Sequence, residues 1–235
     1  MKRWSTSNGI SIYRVLFGRC NCYLIPLKST LILVDTGKKL GYRRLLRRIA
    51  KVSNSLQADR YLILTHTHFD HCQNAERLSE EQGYRIILGN AEEEFALRGF
   101  SPAPKGTNRF SRVISFLGNH CFRYKLKFKH FRPELLVLDE MVLNVEDANI
   151  RVISTPGHSI GSISVIVDNE VVIVGDALFG IFSNSVFPPF ADDVKTLIDS
   201  WGKLLKTNCT LFLPAHGRPI TRELLEREYN KMHSL

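Results

Sequence analysis

The stretch of residues 65 to 71 constrains this chain more than any other feature, because it concentrates metal-binding side chains after an apolar run. It reads Thr-His-Thr-His-Phe-Asp-His. Alternate side chains of a strand point the same way, so His66 and His68 can both face one ion where the strand ends. Asp70 and His71 follow where the chain turns toward a helix, in a position to hold a second ion. Imidazole and carboxylate groups bind zinc, and open sites built from them serve catalysis.

The length and composition predict one domain, residues 1 to 235, with a single substantial core. Of the 235 residues, 44% are hydrophobic, which is enough for one core and gives no reason to divide it. No apolar stretch has the length of a signal peptide or a membrane span, so we expect a cytoplasmic protein without a membrane partner. The five cysteines are scattered and odd in number, which favours a reduced protein. We expect Cys72 to be a buried thiol rather than a ligand.

Two basic clusters stand out in a chain whose net charge is +9. Residues 43 to 48 place arginines on one helical face and Leu45 and Leu46 on another, which is typical of an amphipathic surface helix. Residues 123 to 132 alternate basic and apolar side chains, which predicts an extended segment with one basic face. Such a face is suited to steering an anionic substrate or contacting nucleic acid. A solvated surface is the simpler interpretation, so nucleic acid is an unfavoured partner that the sequence does not exclude.

Short apolar runs predict strands in both halves of the chain, with helices between them. In the first half, strands are predicted at 10–17, 22–26, 30–34, 61–64 and 85–88, and helices at 40–52, 74–81 and 91–97. In the second half, strands are predicted at 135–138, 141–145, 150–154, 162–167, 171–175 and 211–213, and helices at 193–205 and 221–232. The hairpins at 22–35 and 162–176 resemble each other, and each ends in an aspartate. Two such β/α halves would pack sheet on sheet with helices outside.

Residues 100 to 132 follow the strand pattern least. Four large apolar side chains after a loop rich in proline have helical spacing: Phe110, Val113, Ile114 and Leu117. We expect an insertion here that covers a site on the ligand loops as a lid.

Three further strand ends carry the residues that would complete a two-metal site. Pro156 and Gly157 predict a tight turn that presents His158. Asp176 follows a strongly apolar strand, where an unpaired buried charge would be very costly and a metal pair would offset that cost. His216 lies in a similar arrangement of strand, proline, histidine and glycine. The remaining histidines are in polar or basic surroundings and are predicted to lie on the surface: His120, His130 and His233.

Together these motifs resemble the metallo-β-lactamase superfamily over residues 10 to 220. The motifs are His66-x-His68-x-Asp70-His71, then His158, Asp176 and His216, preceded by Asp35-Thr36-Gly37. The resemblance implies an α/β fold: a four-layer αββα sandwich, with two mixed sheets face to face, helices outside and a metal pair at one edge. It assigns the first metal to His66, His68 and His158, and the second to Asp70, His71 and His216. Asp176 would bridge both metals, and Asp35 would orient a ligand histidine.

The resemblance implies a hydrolase with two divalent metal ions. Zinc fits the ligands, and iron or manganese would also suit them. We expect hydrolysis of a carbonyl ester, thioester or lactone by a hydroxide shared between the metals, with Asp70 and Asp176 as catalytic carboxylates. Two alternatives stay open: a phosphodiesterase or nuclease using the same metals, and a dioxygenase with a single iron.

The sequence differs from several subgroups of the family whose substrates are known. Phe179 stands where acyl-homoserine lactonases of the superfamily carry a tyrosine, which weakens that assignment. Glyoxalase II thioesterases resemble the sequence around Asp176 better, but they have a long helical tail after the last ligand, and here nineteen residues follow His216. Zinc β-lactamases are usually exported, and this sequence shows no apolar stretch of signal-peptide length, which disfavours that subgroup. We therefore expect a small-molecule substrate without a more specific assignment.

A run of aromatic residues after Asp176 suggests the wall of a substrate pocket. We predict that Phe179, Phe182 and Phe187 line it, because pockets are mostly apolar with few polar anchors. The alternative is that these aromatics fill the core or form a homodimer contact. Arg218 is placed to bind a substrate carboxylate, although an ion pair within the protein is the simpler role.

Overall fold

A seven-stranded mixed sheet is built from the first half of the chain. The computed structural model describes residues 1–53, 59–145 and 148–233. In spatial order, which is also chain order, the strands are β1 (Lys2–Ser5), β2 (Ser11–Leu16), β3 (Cys22–Pro26), β4 (Thr30–Val34), β5 (Asp59–Leu64), β6 (Arg85–Gly89) and β7 (Leu135–Val137). The first four pair antiparallel, and β4 to β7 run parallel. Parallel neighbours bring the carboxyl ends of β4, β5 and β6 to one edge.

A second mixed sheet is built from the other half. Its strands are β8 (Glu140–Val145), β9 (Ala148–Ser154), β10 (Ile163–Val167), β11 (Val171–Gly175), β12 (Leu211–Pro214) and β13 (Ile220–Thr221). Their spatial order is β13-β12-β11-β10-β9-β8, with only β11 and β12 parallel. The carboxyl ends of β11 and β12 therefore lie side by side.

Seven α-helices accompany the sheets in the described part of the chain. They are α1 (Tyr42–Val52), α2 (Phe69–Cys72), α3 (Ala75–Gln82), α4 (Glu93–Arg98), α5 (Arg109–His120), α6 (Val194–Leu205) and α7 (Arg222–His233). In α1, Leu45 is buried while Arg43, Arg44 and Arg47 are exposed, which confirms an amphipathic surface helix. No helix among the described residues is both long and apolar enough to cross a membrane.

Alternation along the strands explains the four layers. All five residues of β4 are buried, because successive side chains enter different cores. Leu31 and Leu33 pack with α1 and α3 outside the first sheet. Ile32 and Val34 pack between the sheets, against residues of the second sheet such as Val165. A third core joins the outer face of the second sheet to α6 and α7. The expected αββα sandwich is confirmed.

The two predicted hairpins are present. Tyr23 pairs with Val34 in β3–β4, and Val167 pairs with Val171 in β10–β11, both antiparallel. Strands β1 and β13 were not anticipated, since they are short and carry little apolar pattern. Thr221 ends β13 and its hydroxyl accepts a hydrogen bond from the Leu224 backbone N–H at 3.4 Å, which is the expected helix cap.

The segment 100–132 contains one helix, as the spacing of its apolar residues predicted, and a short 3₁₀ turn. Helix α5 begins at a capping box between Asn108 and Ser111. The prediction of an extended basic strand at 123–132 is wrong: residues 123–126 form a 3₁₀ turn, and no strand follows within the segment. Leu126 and Phe131 are both buried, and an odd separation of five would place them on opposite faces of a strand. The turn lets both side chains point inward.

Candidate metal centre

The seven predicted ligands meet at one edge of the sandwich. They follow the carboxyl ends of β5, β9, β11 and β12. Five are buried, and Asp70 and His216 are partly exposed. The ligand atoms fall into overlapping groups whose members lie within 4.8 Å of one another: His66, His68 and His158; His66, His71 and Asp176; and Asp70, His71 and His216. The first and third of these groups have the composition that the family resemblance gave to the two metals.

Asp176 is at the centre of these groups. Its Oδ2 lies 3.4 Å from Nε2 of His158 and 3.3 Å from Nε2 of His216. Its Oδ1 lies 3.5 Å from Nε2 of His71. On the open side, Nε2 of His216 is 3.7 Å from Oδ2 of Asp70. One carboxylate therefore contacts histidines of both predicted sites, as a bridging ligand must.

Unpaired polar atoms show that the cluster suits a cation. Nε2 of His66, Nε2 of His71 and Oδ1 of Asp176 are buried without a hydrogen-bond partner. Nδ1 of His68 and Nε2 of His158 lie 3.0 Å apart, although an unprotonated nitrogen cannot donate to another. Each unsatisfied buried group costs about 1–3 kcal/mol. Metal ions bound by these atoms would remove that cost.

Hydrogen bonds on the far side of two rings set which nitrogen faces the cluster. Nδ1 of His71 lies 2.9 Å from Oδ2 of Asp35, and Nδ1 of His158 lies 2.9 Å from the carbonyl oxygen of Phe190. With Nδ1–H donating to that acceptor, the neutral form of each ring leaves Nε2, the nitrogen beside Asp176, free to bind a metal. This is the arrangement in which a second partner fixes the tautomer of a ligand histidine.

Asp35 is held in place by Thr65. The Thr65 backbone N–H donates to Oδ1 of Asp35 at 2.9 Å, and its hydroxyl lies 2.9 Å from Oδ2. That hydroxyl is also 3.1 Å from Nδ1 of His66. Asp35 has φ of 59°, a left-handed conformation that aspartate adopts more readily than most residues. Asp35 thus supports His71 directly and His66 through Thr65.

Burial and charge prepare the ligands for a metal. Burial lowers the pKa of His66 and His68 well below the usual range, and the neighbouring imidazoles lower it further. Both rings are therefore neutral, as metal ligands must be. Burial opposes ionisation of Asp176, but the imidazoles of His216, His71 and His158 outweigh it and lower its pKa. The centre thus joins an ionised carboxylate to imidazole nitrogens.

Asp176 acts in turn on two of these rings. Burial alone would lower the pKa of His71, but Cys20, Asp35 and Asp176 raise it well above its usual value. Burial would also lower the pKa of His216, and Asp176 raises it. A cation bound at the centre would replace these two imidazoles as the positive partner of the carboxylates.

Glu92 is a supporting residue that sequence reasoning missed. It is completely buried, and its carboxylate accepts hydrogen bonds from the backbone N–H of Thr67 at 2.9 Å and of Gly161 at 3.2 Å. The Thr67 hydroxyl donates to it as well. Thr67 lies between His66 and His68, so Glu92 fixes the backbone that carries both. The available signal was an acidic residue in the first turn of the predicted helix 91–97, shortly after the predicted strand 85–88.

Asn21 and a close backbone approach fix the loop that carries His216. The Asn21 side-chain amide donates to the carbonyl oxygens of Pro214 and Gly217 at 3.0 and 3.1 Å. Gly217 has φ of 95°, and a Cβ there would lie 2.2 Å from the Gly180 backbone. Only glycine fits this position, which explains the glycine after the ligand.

Cys72 is buried and the remaining histidines lie on the surface, as predicted. Cys72 is buried, and its Sγ donates to the Thr67 carbonyl oxygen at 3.2 Å. Cys20, by contrast, lies 3.8 Å from Nδ1 of His71, behind the ligand cluster. The three histidines outside the cluster are exposed: His120, His130 and His233.

A cavity of about 380 Å³ opens onto the ligands. Its floor includes His68, Asp70, His158, Asp176 and His216. Its walls are mainly apolar, from two sources: Phe179 and Phe190 after β11, and residues of the segment 100–132, among them Ala103, Pro104, Ile114, Phe122 and Leu126. The insertion therefore builds the outer wall of the cavity.

The predicted pocket residues are only partly brought together. Phe179 lines the cavity and stacks on His216, with ring centroids 4.9 Å apart. Phe187 instead packs against Trp201 at 5.8 Å, in the core beneath α6. Phe182 is 53% exposed and Arg218 is also exposed, and neither is among the described residues that line the cavity. Phe190 lines the cavity wall, where we had predicted Phe182 and Phe187.

Comparison with known proteins agrees with this geometry. The sequence model of the metallo-beta-lactamase superfamily matches residues 15–216. The chain belongs to this superfamily. All seven predicted ligands lie inside the matched region. As a member of this superfamily, the protein is a metal-dependent hydrolase.

Curated relatives include hydrolases with named substrates. Hydroxyacylglutathione hydrolase GloC of Haemophilus influenzae is 30% identical over 215 residues, covering 88% of this chain and 90% of its own. The acyl-coenzyme A thioesterase MBLAC2 of Bos taurus is 26% identical over 171 residues, covering 68% of this chain and 59% of its own.

Solved structures of the superfamily share the fold. A metallo-beta-lactamase of Cronobacter sakazakii with a HARLDQ motif superposes with a TM-score of 0.71 at 19% identity, covering 100% of this chain and 92% of its own. The subclass B3 enzyme BJP-1 of Bradyrhizobium japonicum gives a TM-score of 0.68 at 19% identity, covering 96% and 88%. At this identity the likeness concerns the fold alone.

Proposed function

We propose that this protein is a two-metal hydrolase, with zinc in both positions, that cleaves a thioester or related carbonyl ester bearing an apolar acyl group. The observation that carries the proposal is Asp176, whose carboxylate contacts histidines of both ligand groups beneath an apolar cavity. The five cysteines are all free, which supports placing the protein in the reducing cytoplasm.

The ligand set determines the chemistry available. Bound divalent metals would lower the pKa of water and polarise the substrate carbonyl. His66, His68 and His158 would hold one ion, and Asp70, His71 and His216 the other, with Asp176 shared. Asp35 and Phe190 keep the Nδ1 protons of His71 and His158 away from the centre. The Asp70 carboxylate, which lines the cavity floor, can accept a hydrogen bond from a water beside the substrate.

The cavity wall favours an acyl substrate over a phosphodiester. Apart from the ligands, the lining offers few polar groups: Ser101, Ser115 and Lys125. A phosphodiester brings a charge that needs several donors or cations, whereas an acyl chain needs apolar contact. Two curated relatives are named for thioester-type substrates, hydroxyacylglutathione and acyl-coenzyme A. Phe179 contributes a ring and no hydroxyl, so it packs against the substrate rather than orienting its carbonyl.

A panel of substrates tests the proposal. Purified zinc-loaded protein is assayed with acetyl and hexanoyl thioesters, the matching p-nitrophenyl esters, a lactone, a β-lactam and bis-p-nitrophenyl phosphate. The proposal expects the hexanoyl thioester to give the highest kcat/KM, and Asp176→Asn to remove that activity. The control is Asp168→Asn, which makes the same chemical change away from the site. Faster cleavage of the phosphodiester than of any acyl substrate would instead support the nuclease alternative, and one iron per purified chain would support the dioxygenase.

A further inference from the structure

Helix α5 has the reverse of the usual distribution of side chains. A surface helix normally buries its large apolar residues and exposes its polar ones. Here the small residues Ser111 and Ser115 are buried against the protein. The large apolar residues of the helix are exposed, with Phe110 at 76%, Val113 at 58% and Phe116 at 59%. Exposed apolar clusters of this kind mark interaction surfaces.

The basic charge of the chain is concentrated in the same segment. Residues 100 to 132 contain eight lysines and arginines and no aspartate or glutamate, which leaves the rest of the chain nearly neutral. All eight are exposed: Lys105, Arg109, Arg112, Arg123, Lys125, Lys127, Lys129 and Arg132. Among the described residues, only Lys129 of this group forms an ion pair, with Glu76. The others are available to an anionic partner.

The exposed apolar surface continues into the cavity. Ile114 and Phe122 are each 43% exposed, and both also line the cavity above the metal ligands. Lys125 lines the cavity too, next to the rings of Phe122 and Tyr124 at 4.8 and 5.7 Å. The apolar stripe of α5 and the opening of the site are therefore parts of one surface.

We propose that α5 and the 3₁₀ turn after it dock this protein on an anionic lipid bilayer, with the exposed aromatic residues in the interface and the cations on lipid headgroups. Aromatic and aliphatic side chains flanked by arginine and lysine are what an interfacial helix presents to a membrane. Our expectation of no membrane partner considered only spanning segments, and this proposal departs from it. The docking places the cavity opening at the bilayer surface, where acyl chains are found.

An anionic bilayer fits this surface better than a second copy of the protein or a single-stranded nucleic acid does. A second copy docked through the same face would bring its cations against their own equivalents, and residues 100 to 132 supply no acidic side chain to offset them, which opposes association. A single-stranded nucleic acid also combines anionic and stacking groups. Aliphatic Val113, Ile114 and Leu117 give bases no stacking surface, however, and they match lipid better.

Co-sedimentation with vesicles tests the docking without any need for turnover. The zinc-loaded protein is mixed with vesicles of phosphatidylcholine alone or with about 30 mol% phosphatidylglycerol, at about 0.1 M and 0.5 M salt. We expect binding at least about tenfold tighter to the anionic vesicles at low salt. Phe110→Ser/Phe116→Ser and Arg109→Gln/Arg112→Gln should each weaken it about tenfold or more, with an unchanged thermal midpoint.

Matched variants outside the segment serve as controls. Arg43→Gln/Arg47→Gln removes the same charge from exposed positions of α1, and Leu40→Ser removes a side chain that is 99% exposed. Both should bind vesicles like the wild type. Equal loss in the α1 variant would reduce the effect to general charge attraction and overturn the proposal.

The two competing partners have their own readouts. Tighter binding to a labelled single-stranded oligonucleotide than to vesicles, or a dimer in sedimentation that only the phenylalanine variant abolishes, would overturn the docking in favour of that partner. None of these binding measurements depends on the hydrolytic reaction. Failure of the docking proposal would therefore not bear on the proposed function, which the substrate panel tests separately.

Discussion

Asp35 should control the affinity of one metal position without touching a metal. Its Oδ2 accepts the Nδ1–H of His71 at 2.9 Å, and the residue is only 1% exposed. Replacing Asp35 with Asn keeps the size of the side chain and tolerates φ of 59°, since asparagine shares aspartate's access to the left-handed region. It removes the negative charge that favours the Nδ1–H tautomer and strengthens the basicity of Nε2.

The size of the effect follows from the contacts. Loss of a second partner of a ligand histidine typically weakens metal binding by about 10- to 100-fold, and each tenfold corresponds to about 1.4 kcal/mol. Asp35 reaches His71 directly but His66 only through the Thr65 hydroxyl. We therefore expect one zinc equivalent to bind about 10- to 100-fold more weakly, and the other to change by less than tenfold.

Competition with a chromophoric zinc chelator measures both equivalents. The control is Asp168→Asn, at another aspartate with positive φ, which accepts from the Thr6 hydroxyl at 2.6 Å and the Asn149 backbone N–H at 3.0 Å. That variant should bind zinc like the wild type. Wild-type affinity for both equivalents in Asp35→Asn, or an equal loss in Asp168→Asn, would refute a role for Asp35 in orienting His71.

Three further perturbations have distinct expected results. Asp176→Ala should weaken both zinc equivalents, because its carboxylate contacts both ligand groups, whereas His216→Ala should mainly remove one; isothermal titration separates the two patterns. Glu92→Ala should lower the free energy of unfolding by about 3 kcal/mol and the melting midpoint by roughly 6–12 °C, with Glu92→Gln closer to the wild type, as calorimetry would show. Phe190→Ala should flatten the preference for hexanoyl over acetyl substrates through KM, and Phe187→Ala should lower stability while leaving that preference intact.

Local motifs made the ligand cluster predictable. The four ligands from His66 to His71 lie within six residues, and each of the other three follows a short apolar run, so these runs placed them at strand ends. The apolar runs and the repeated hairpin likewise pointed to two packed sheets, because each β/α half must cover the apolar face of its sheet.

Residues that act through the tertiary structure were not predictable in the same way. Phe187 and Phe190 are three residues apart in one aromatic run, and only the position of Trp201 in α6 decides which enters the core. Glu92 meets Thr67 and Gly161 across two loops that sequence spacing does not connect. The helical spacing in α5 identified a helix correctly, but the pattern does not indicate whether its apolar face packs inward or outward.

A zinc titration tests whether acyl hydrolysis by this protein requires two bound metal ions. The protein is stripped of metal with a chelator, and the initial rate of hexanoyl thioester hydrolysis is followed as zinc is added in fractions of one equivalent per chain. We expect little activity below one equivalent and a rise that saturates at two, because Asp176 joins both ligand groups at the cavity floor. Full activity at one equivalent, or no hydrolysis at any zinc content, would contradict this expectation.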